Sequence, residues 1–427
     1  MKMKKSTIYK NQIMKRSLNI FCLTLSMLFF DKESEAQWVS KANNNIKRAA
    51  AFAFTIDSIA YIGLGFGASN NLLNDFWAYD PIKNTWTKKA NYPAGAVQAA
   101  VGFSIGNKGY VGTGANSSAT LKSFYEYDPA SNTWKRLKDF GGQARFYAAG
   151  FNIGNKGYIG TGFESYTNQI LLKDFWEFDP GLDTWTQKLD FPGVARAMGV
   201  GFAIDNKGYL GTGETKTNWL KDFWQYDQVS GQWDRKADVG NDVYRSGAVG
   251  LSNGIKGYIG TGQYHDQVYI NDFFEYDPNL DTWTKKDDFT GTPRRNAVGF
   301  SIGQKCYIGS GMDSLDTYFS ISCGKDFYEF DPKVMGVSEN NNQKLLLSVF
   351  PNPNTGYLTI QARIPENSVV GIIIYDVLGA NMLDISETCN FAVYSKEIDL
   401  SALKKGIYFL NFNLENASSI QRLIVIN

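Results

Sequence analysis

The sequence predicts an all-β protein, a six-bladed β-propeller followed by a small β-sandwich, on three observations. The pentapeptide Tyr-aliphatic-Gly-x-Gly starts at Tyr61, Tyr110, Tyr158, Tyr209, Tyr258 and Tyr307, at intervals of 49, 48, 51, 49 and 49 residues. Self-similarity at that period marks a propeller or a solenoid. The chain has 42 glycines, 11 prolines and 15% aromatic residues, a composition that suits many short strands joined by glycine turns. Near residue 333 the repeat stops, and a different apolar–polar alternation begins.

Each period divides into four strands. An apolar stretch such as 99–105 comes first, Gly106-Asn107-Lys108 turns the chain, and Tyr110-Val111-Gly112-Thr113-Gly114 is the second strand. After a variable loop, the third strand is of the type Asp174-Phe175-Trp176-Glu177-Phe178-Asp179, ended by Pro180. The fourth is of the type Thr184-Trp185-Thr186-Gln187-Lys188. The sixth repeat has no such Trp strand, but Gln37-Trp38-Val39-Ser40-Lys41-Ala42 matches Thr85-Trp86-Thr87-Lys88-Lys89-Ala90. The N-terminal strand is therefore expected to close the last blade, which gives the propeller residues 37–333 and removes the free edge of an open ring.

These residues resemble the kelch repeat, with its glycine-ended second strand, its Tyr-Asp-Pro turn and its fourth-strand Trp. Gly-Thr-Gly stands where kelch has paired glycines, and Gln228 replaces the turn proline of the fourth repeat. A polar linker at 334–344 leads to residues 345–427. There Val349-Phe350-Pro351-Asn352-Pro353, Tyr375-Asp376-Val377-Leu378-Gly379, Asp399-Leu400-Ser401-Ala402-Leu403 and Gly406-Ile407-Tyr408 resemble the type A sorting domain of the type IX secretion system. That resemblance implies a Bacteroidota-type cell, the secretion machinery as a partner, and a destination at the cell surface or in the medium.

The other end agrees. Residues 1–16 carry six positive charges and no acid, and 18–30 are largely apolar before Ser34-Glu35-Ala36, so 1–36 reads as a signal peptide. The apolar run is too short to span a bilayer, and the mature chain is expected to have no transmembrane segment. The remainder is slightly acidic without a basic stripe, which argues against nucleic acid. Cys306, Cys323 and Cys389 have no metal-ligand spacing. With Cys306 and Cys323 each opening one of two antiparallel strands, they fall at opposite ends of the pair and form no disulfide.

Motifs that suggest catalysis are better explained by the repeat. Gly102-Phe103-Ser104-Ile105-Gly106 and Gly299-Phe300-Ser301-Ile302-Gly303 match a hydrolase elbow, yet they lie along first strands where other repeats carry Asn152 or Ala203. His265 is the only histidine. The copper chemistry of the kelch relative galactose oxidase needs two histidines and a Tyr-Cys pair, so that activity is excluded by inventory. Asp75, Asp174, Asp222, Asp272 and Asp326 precede the third strands, with Ser123 in the second repeat. They read as turn acids rather than calcium ligands, so neither a metal nor a cofactor is assigned.

Arg48, Arg145, Arg196, Arg245 and Arg294 each lie thirteen residues before the repeat tyrosine, with Val97 in the second repeat. Ring symmetry places them at one radius around the channel mouth, either contacting a ligand or tying blades together. The loops expected on that face carry Phe66, Phe163, Glu164, Tyr166, Glu214, Trp219, Tyr264, His265 and Asp313. Aromatics with a few polar groups suit a sugar or a peptide. The expected function is a secreted or surface binding scaffold for a glycan or protein, with no catalytic residues assigned. The enzyme alternative is a sialate-type mutarotase or lyase using the same mouth, and a third possibility is a purely structural surface component.

Overall fold

The computed structural model describes residues 38–332 apart from 166, 168, 169, 241, 242, 265–267 and 316–320. Beyond them it describes 347–350, 356–364, 368–376, 380–390, 393–414 and 417–426. The proposed signal peptide and linker lie outside the described residues. The chain divides into two compact units between Lys333 and Val334. Among the described residues no helix is long and apolar enough to cross a membrane.

The first unit contains six four-stranded antiparallel sheets, each in sequential strand order except the last. Blade 1 runs Phe52–Ile56, Ile59–Gly63, Phe76–Asp80 and Thr85–Lys88. Blades 2 to 5 repeat it over 101–136, 149–187, 200–236 and 249–286. Blade 6 takes three strands from 298–330, and its outermost strand is Trp38–Lys41, in the register Trp38 to Phe330 and Lys41 to Phe327. The Trp38 ring lies 5.0 Å from Phe273, 5.1 Å from Phe289 and 5.1 Å from Phe330. Its Nε1 donates to the Asp287 carbonyl at 3.1 Å. Trp134 is held the same way, 5.0 Å from Phe76 and donating to the Ala90 carbonyl.

First strands alternate buried and half-buried residues, as Phe52, Phe54 and Ile56 do against Ala53 and Thr55. They line a narrow axial channel of about 160 Å³, walled by alanine, glycine and valine. Glycine is required there by its neighbour: a Cβ on Gly150 would lie 2.2 Å from Val101 of the preceding blade. The same contact explains Cys306. In blades 2 to 5 a glycine before the repeat tyrosine admits a Phe from the preceding blade, as Gly109 admits Phe54. At the 5–6 junction the partner is the smaller Leu251, and Cys306 fills the space in one buried cluster with it.

One expectation about cysteines is corrected. Cys323 does not open the strand paired with that of Cys306; it ends Ile321–Cys323, the return strand of an extra hairpin with Met312–Leu315. The third strand is Phe327–Phe330. Both cysteines are buried thiols.

The second unit has a three-stranded sheet, Leu347–Phe350, Tyr357–Arg363 and Val393–Asp399. A four-stranded sheet has the order Asn381–Cys389, Ser368–Asp376, Gly406–Leu414 and Ala417–Ile426. One core joins them, with Leu358 and Ile360 from the first and Ile372, Ile374, Leu410 and Phe412 from the second. The result is a β-sandwich.

Candidate functional site

The repeated arginines do not form the mouth. All five are 0% exposed. Arg196 gives Nη1 to the Thr212 carbonyl at 2.9 Å and to Asp222 Oδ1 at 2.5 Å, and Nη2 to Asp222 Oδ2 at 2.6 Å. Arg48, Arg145, Arg245 and Arg294 bond in the same way to Leu64 and Asp75, Thr161 and Asp174, Thr261 and Asp272, and Ser310 and Asp326. Phe140, Phe191, Phe274 and Phe289 stack on Arg145, Arg196, Arg245 and Arg294 at 4.6 to 5.4 Å. The ligand role expected for the arginines, and the turn role expected for the acids, are both corrected by this pairing. A buried guanidinium is tolerated only when a carboxylate and carbonyls satisfy it, and here they do so within each blade.

The main chain of the same residues ties the blades. The carbonyls of Arg48, Val97, Arg145, Arg196, Arg245 and Arg294 accept from Gly311, Gly65, Gly114, Gly162, Gly213 and Gly262 of the preceding blades, at 2.7 to 2.8 Å. Blade 2 keeps this backbone tie through Val97 without the guanidinium, and its acid position is Ser123.

Two residues further on, Ala50, Ala99, Tyr147, Met198, Gly247 and Asn296 all have φ between 52° and 58°. Each donates its N–H to the carbonyl of the equivalent residue in the preceding blade, so that six bonds of 2.7 to 3.1 Å close a ring around the axis. Five non-glycine residues hold this unfavourable left-handed conformation because the ring gives every N–H a partner. Tyr147 and Asn296 belong to opposite blades, and Asn296 Nδ2 donates to the Tyr147 hydroxyl at 3.4 Å across the mouth.

Between the arginine layer and this ring lies the layer where the blades differ. Bridges pair Ala49 with Phe66, Gln98 with Ala115, Phe146 with Phe163, Ala197 with Glu214, Ser246 with Gln263, and Arg295 with Met312. A cavity of about 300 Å³ opens there, lined by Phe146, Tyr147, Phe163, Met198, Glu214, Thr215, Lys216 and Arg295. The Phe146 and Phe163 rings are 5.4 Å apart and both buried, so little of either is exposed to the cavity. Arg295 Nη1 donates to Gln263 Oε1, and its guanidinium lies 5.9 Å from the Tyr269 ring. Glu214 is half-buried, and burial raises its pKa, with Ser246 and Arg295 offsetting part of the rise.

Of the expected loop residues, Phe163 and Glu214 line this cavity. Glu164 bonds to Ile170 through its N–H, Trp219 bridges to Glu214 through its backbone, Tyr264 sits in a two-stranded hairpin, and Asp313 follows Met312 in another. Phe66 is buried in the same cluster as Phe146 and Phe163 but does not line the cavity. Tyr166 and His265 lie outside the described residues. Arg295, Tyr147, Met198 and Phe146 were not anticipated from the sequence. The available signal was their position, one or two residues after the repeated arginine, together with their failure to repeat. Among the described residues no group of three His, Cys, Asp or Glu side chains is placed to hold a metal ion.

Comparison with known proteins accounts for both units. Residues 348–426 match the secretion system C-terminal sorting domain, and 64–91 match the Kelch motif. The solved structure described as "Structure of YjhT" superposes with a TM-score of 0.57 at 17% identity, covering 68% of this chain and 96% of that one. No curated protein matches the chain. The molecule thus joins a kelch-type β-propeller to a C-terminal sorting domain of the type IX secretion system, which marks proteins for export to the cell surface or the extracellular space.

Proposed function

We propose that this protein is a secreted or surface-displayed binding scaffold that holds a glycan or protein ligand at the propeller mouth. A signal peptide at 1–36 and a Bacteroidota-type host belong to the same reading. The observation that carries it is the mouth cavity, where Phe146, Tyr147, Phe163 and Met198 meet Glu214, Thr215, Lys216 and Arg295. Ligand sites have this make-up, an apolar surface for contact and sparse polar groups for orientation. The alternative is a sialate-type mutarotase or lyase using the same mouth, and the five repeated arginines that could have met an acidic sugar there are buried in ion pairs.

Glycan-array and protein-capture screening of the full secreted chain tests the reading, with Phe163→Ala and Tyr147→Ala as comparators. A ligand whose binding falls in both variants supports the mouth. A ligand insensitive to both removes it. Export is tested separately: deleting 345–427 is expected to leave a folded propeller in the periplasm, and normal surface delivery of the deletion variant would reject the sorting role.

A further inference from the structure

We infer that the axial channel of the propeller is a binding site for a column of ordered water, which links the six first strands through hydrogen bonds to their main chain. This does not depend on what the mouth binds.

The hydrogen-bond direction of the second strands sets the channel wall. Just past those strands, Leu64, Thr113, Thr161, Thr212, Thr261 and Ser310 donate their N–H outward, to the carbonyls that precede the third strands, at 2.9 to 3.3 Å. Successive residues of an antiparallel strand turn their N–H and C=O to opposite sides. In blade 1 it is therefore Gly63, Tyr61 and Ile59 that turn inward, to bond Phe52, Phe54 and Ile56. Ala51 and Ala53 are left with both main-chain groups facing the axis. The register is the same in the other five blades.

Ala51, Ala100, Ala148, Gly199, Ala248 and Ala297 thus form one ring around the channel, and the residues two further on, Ala53 and five glycines, form a second. No described residue bonds to the main chain of the first ring. Both rings are half-buried, whereas the residues between them, such as Phe52 and Val101, are buried. The first strands belong to six separate sheets. Main-chain groups shut inside a protein without a protein partner are satisfied by water, and here the same water joins one blade to the next.

The wall selects water over an ion. Each ring presents N–H donors and C=O acceptors in equal number, and none of the lining side chains is ionisable. A cation would be met by the carbonyls and opposed by the N–H groups, and an anion the reverse. An apolar guest would leave both kinds of group unpaired. Water donates and accepts at once. At about 30 Å³ per molecule, a channel of about 160 Å³ holds about five waters. Organic ligands occupy pockets of about 300 Å³ or more. The hydrogen bond from Asn296 to the Tyr147 hydroxyl crosses the mouth end, which sets the column apart from the mouth cavity.

The test is diffraction from crystals of the full secreted chain, native, soaked in rubidium bromide, and pressurised with xenon. Discrete solvent peaks are expected along the axis, within about 3.2 Å of wall N–H and C=O groups, with no anomalous signal from any of the three probes. A rubidium or bromide peak in the channel would overturn the water assignment in favour of an ion site. A xenon peak would overturn it in favour of a dry channel. In solution, the Ala51, Ala148 and Ala297 amide protons should show Overhauser peaks to water with the sign of long-lived hydration, while the Phe52 amide, bonded within its sheet, shows none. Absence of the peaks from all three alanines would overturn the ordered column.

Discussion

Two adjacent layers at the mouth follow opposite rules. In the inner layer five blades carry the same arginine, always buried, bonded to the same acid position and the same acceptor carbonyl. One residue further along the chain stand Ala49, Gln98, Phe146, Ala197, Ser246 and Arg295, no two blades matching apart from the alanines. Repetition marks what every blade must do to join its neighbours. Variation marks what only one blade needs to do, and the cavity lies in the variable layer.

Breaking the repeated layer should have the largest effect. Asp222→Ala leaves the Arg196 charge buried without its carboxylate, and we expect a loss of about 3 to 5 kcal/mol, read by chemical denaturation. Blade 2 supplies the control, because Val97 and Ser123 replace both partners there. Arg196→Val with Asp222→Ser is therefore expected to cost clearly less than Asp222→Ala alone. A double variant as unstable as the single one would show that the pair does more than satisfy its own charge.

Next in size is Trp38→Ala, which removes the ring packed between Phe273, Phe289 and Phe330. About 3 kcal/mol should be lost, within the range for buried aromatic truncation, and a melting temperature equal to the parent's would contradict closure by this strand.

The pairing also sets a pH dependence. Burial raises the pKa of Asp174 and of Asp222, but Arg145 and Arg196 outweigh it and hold both carboxyls below the ordinary 3.8. Carboxyls lowered in the folded state add stability above their unfolded pKa and lose it as pH falls through the folded values. Thermal stability should therefore change little from these groups between neutral pH and about pH 5, then fall below about pH 4. The Arg196→Val, Asp222→Ser protein should show a shallower acid decline.

The smallest stability effect belongs to the variable layer. Glu214→Gln and Arg295→Gln, both half-buried beside the cavity, should shift stability by no more than about 1 kcal/mol, even where ligand binding changes tenfold. Losses as large as that of Asp222→Ala would erase the distinction between the two layers.

Blade 2 also shows how much was legible without coordinates. The one repeat that lacks the arginine, with Val97, is also the one that lacks the acid, with Ser123, a joint absence that marks the two as partners although the acids, read by themselves, look like turn residues. The convergence of equivalent residues around one axis was likewise readable, since a period near 49 residues together with an N-terminal strand that completes the last repeat implies a closed ring. Their depth was not. Residues 294 and 295 are both arginine, yet one is sealed against Asp326 and the other lines the cavity. That difference comes from the direction of successive side chains along an extended backbone.

By itself, then, the sequence determined the blade count, the strand that closes the ring, and the second unit with its sorting landmarks. Each follows from local periodicity and short-range turn chemistry repeated along the chain. Only the tertiary structure decided which side chains face the mouth. That choice depends on the cyclic hydrogen-bond ring through Ala50, Ala99, Tyr147, Met198, Gly247 and Asn296. The ring joins residues about 50 positions apart and exists only when all six blades are assembled, so no single repeat could reveal it.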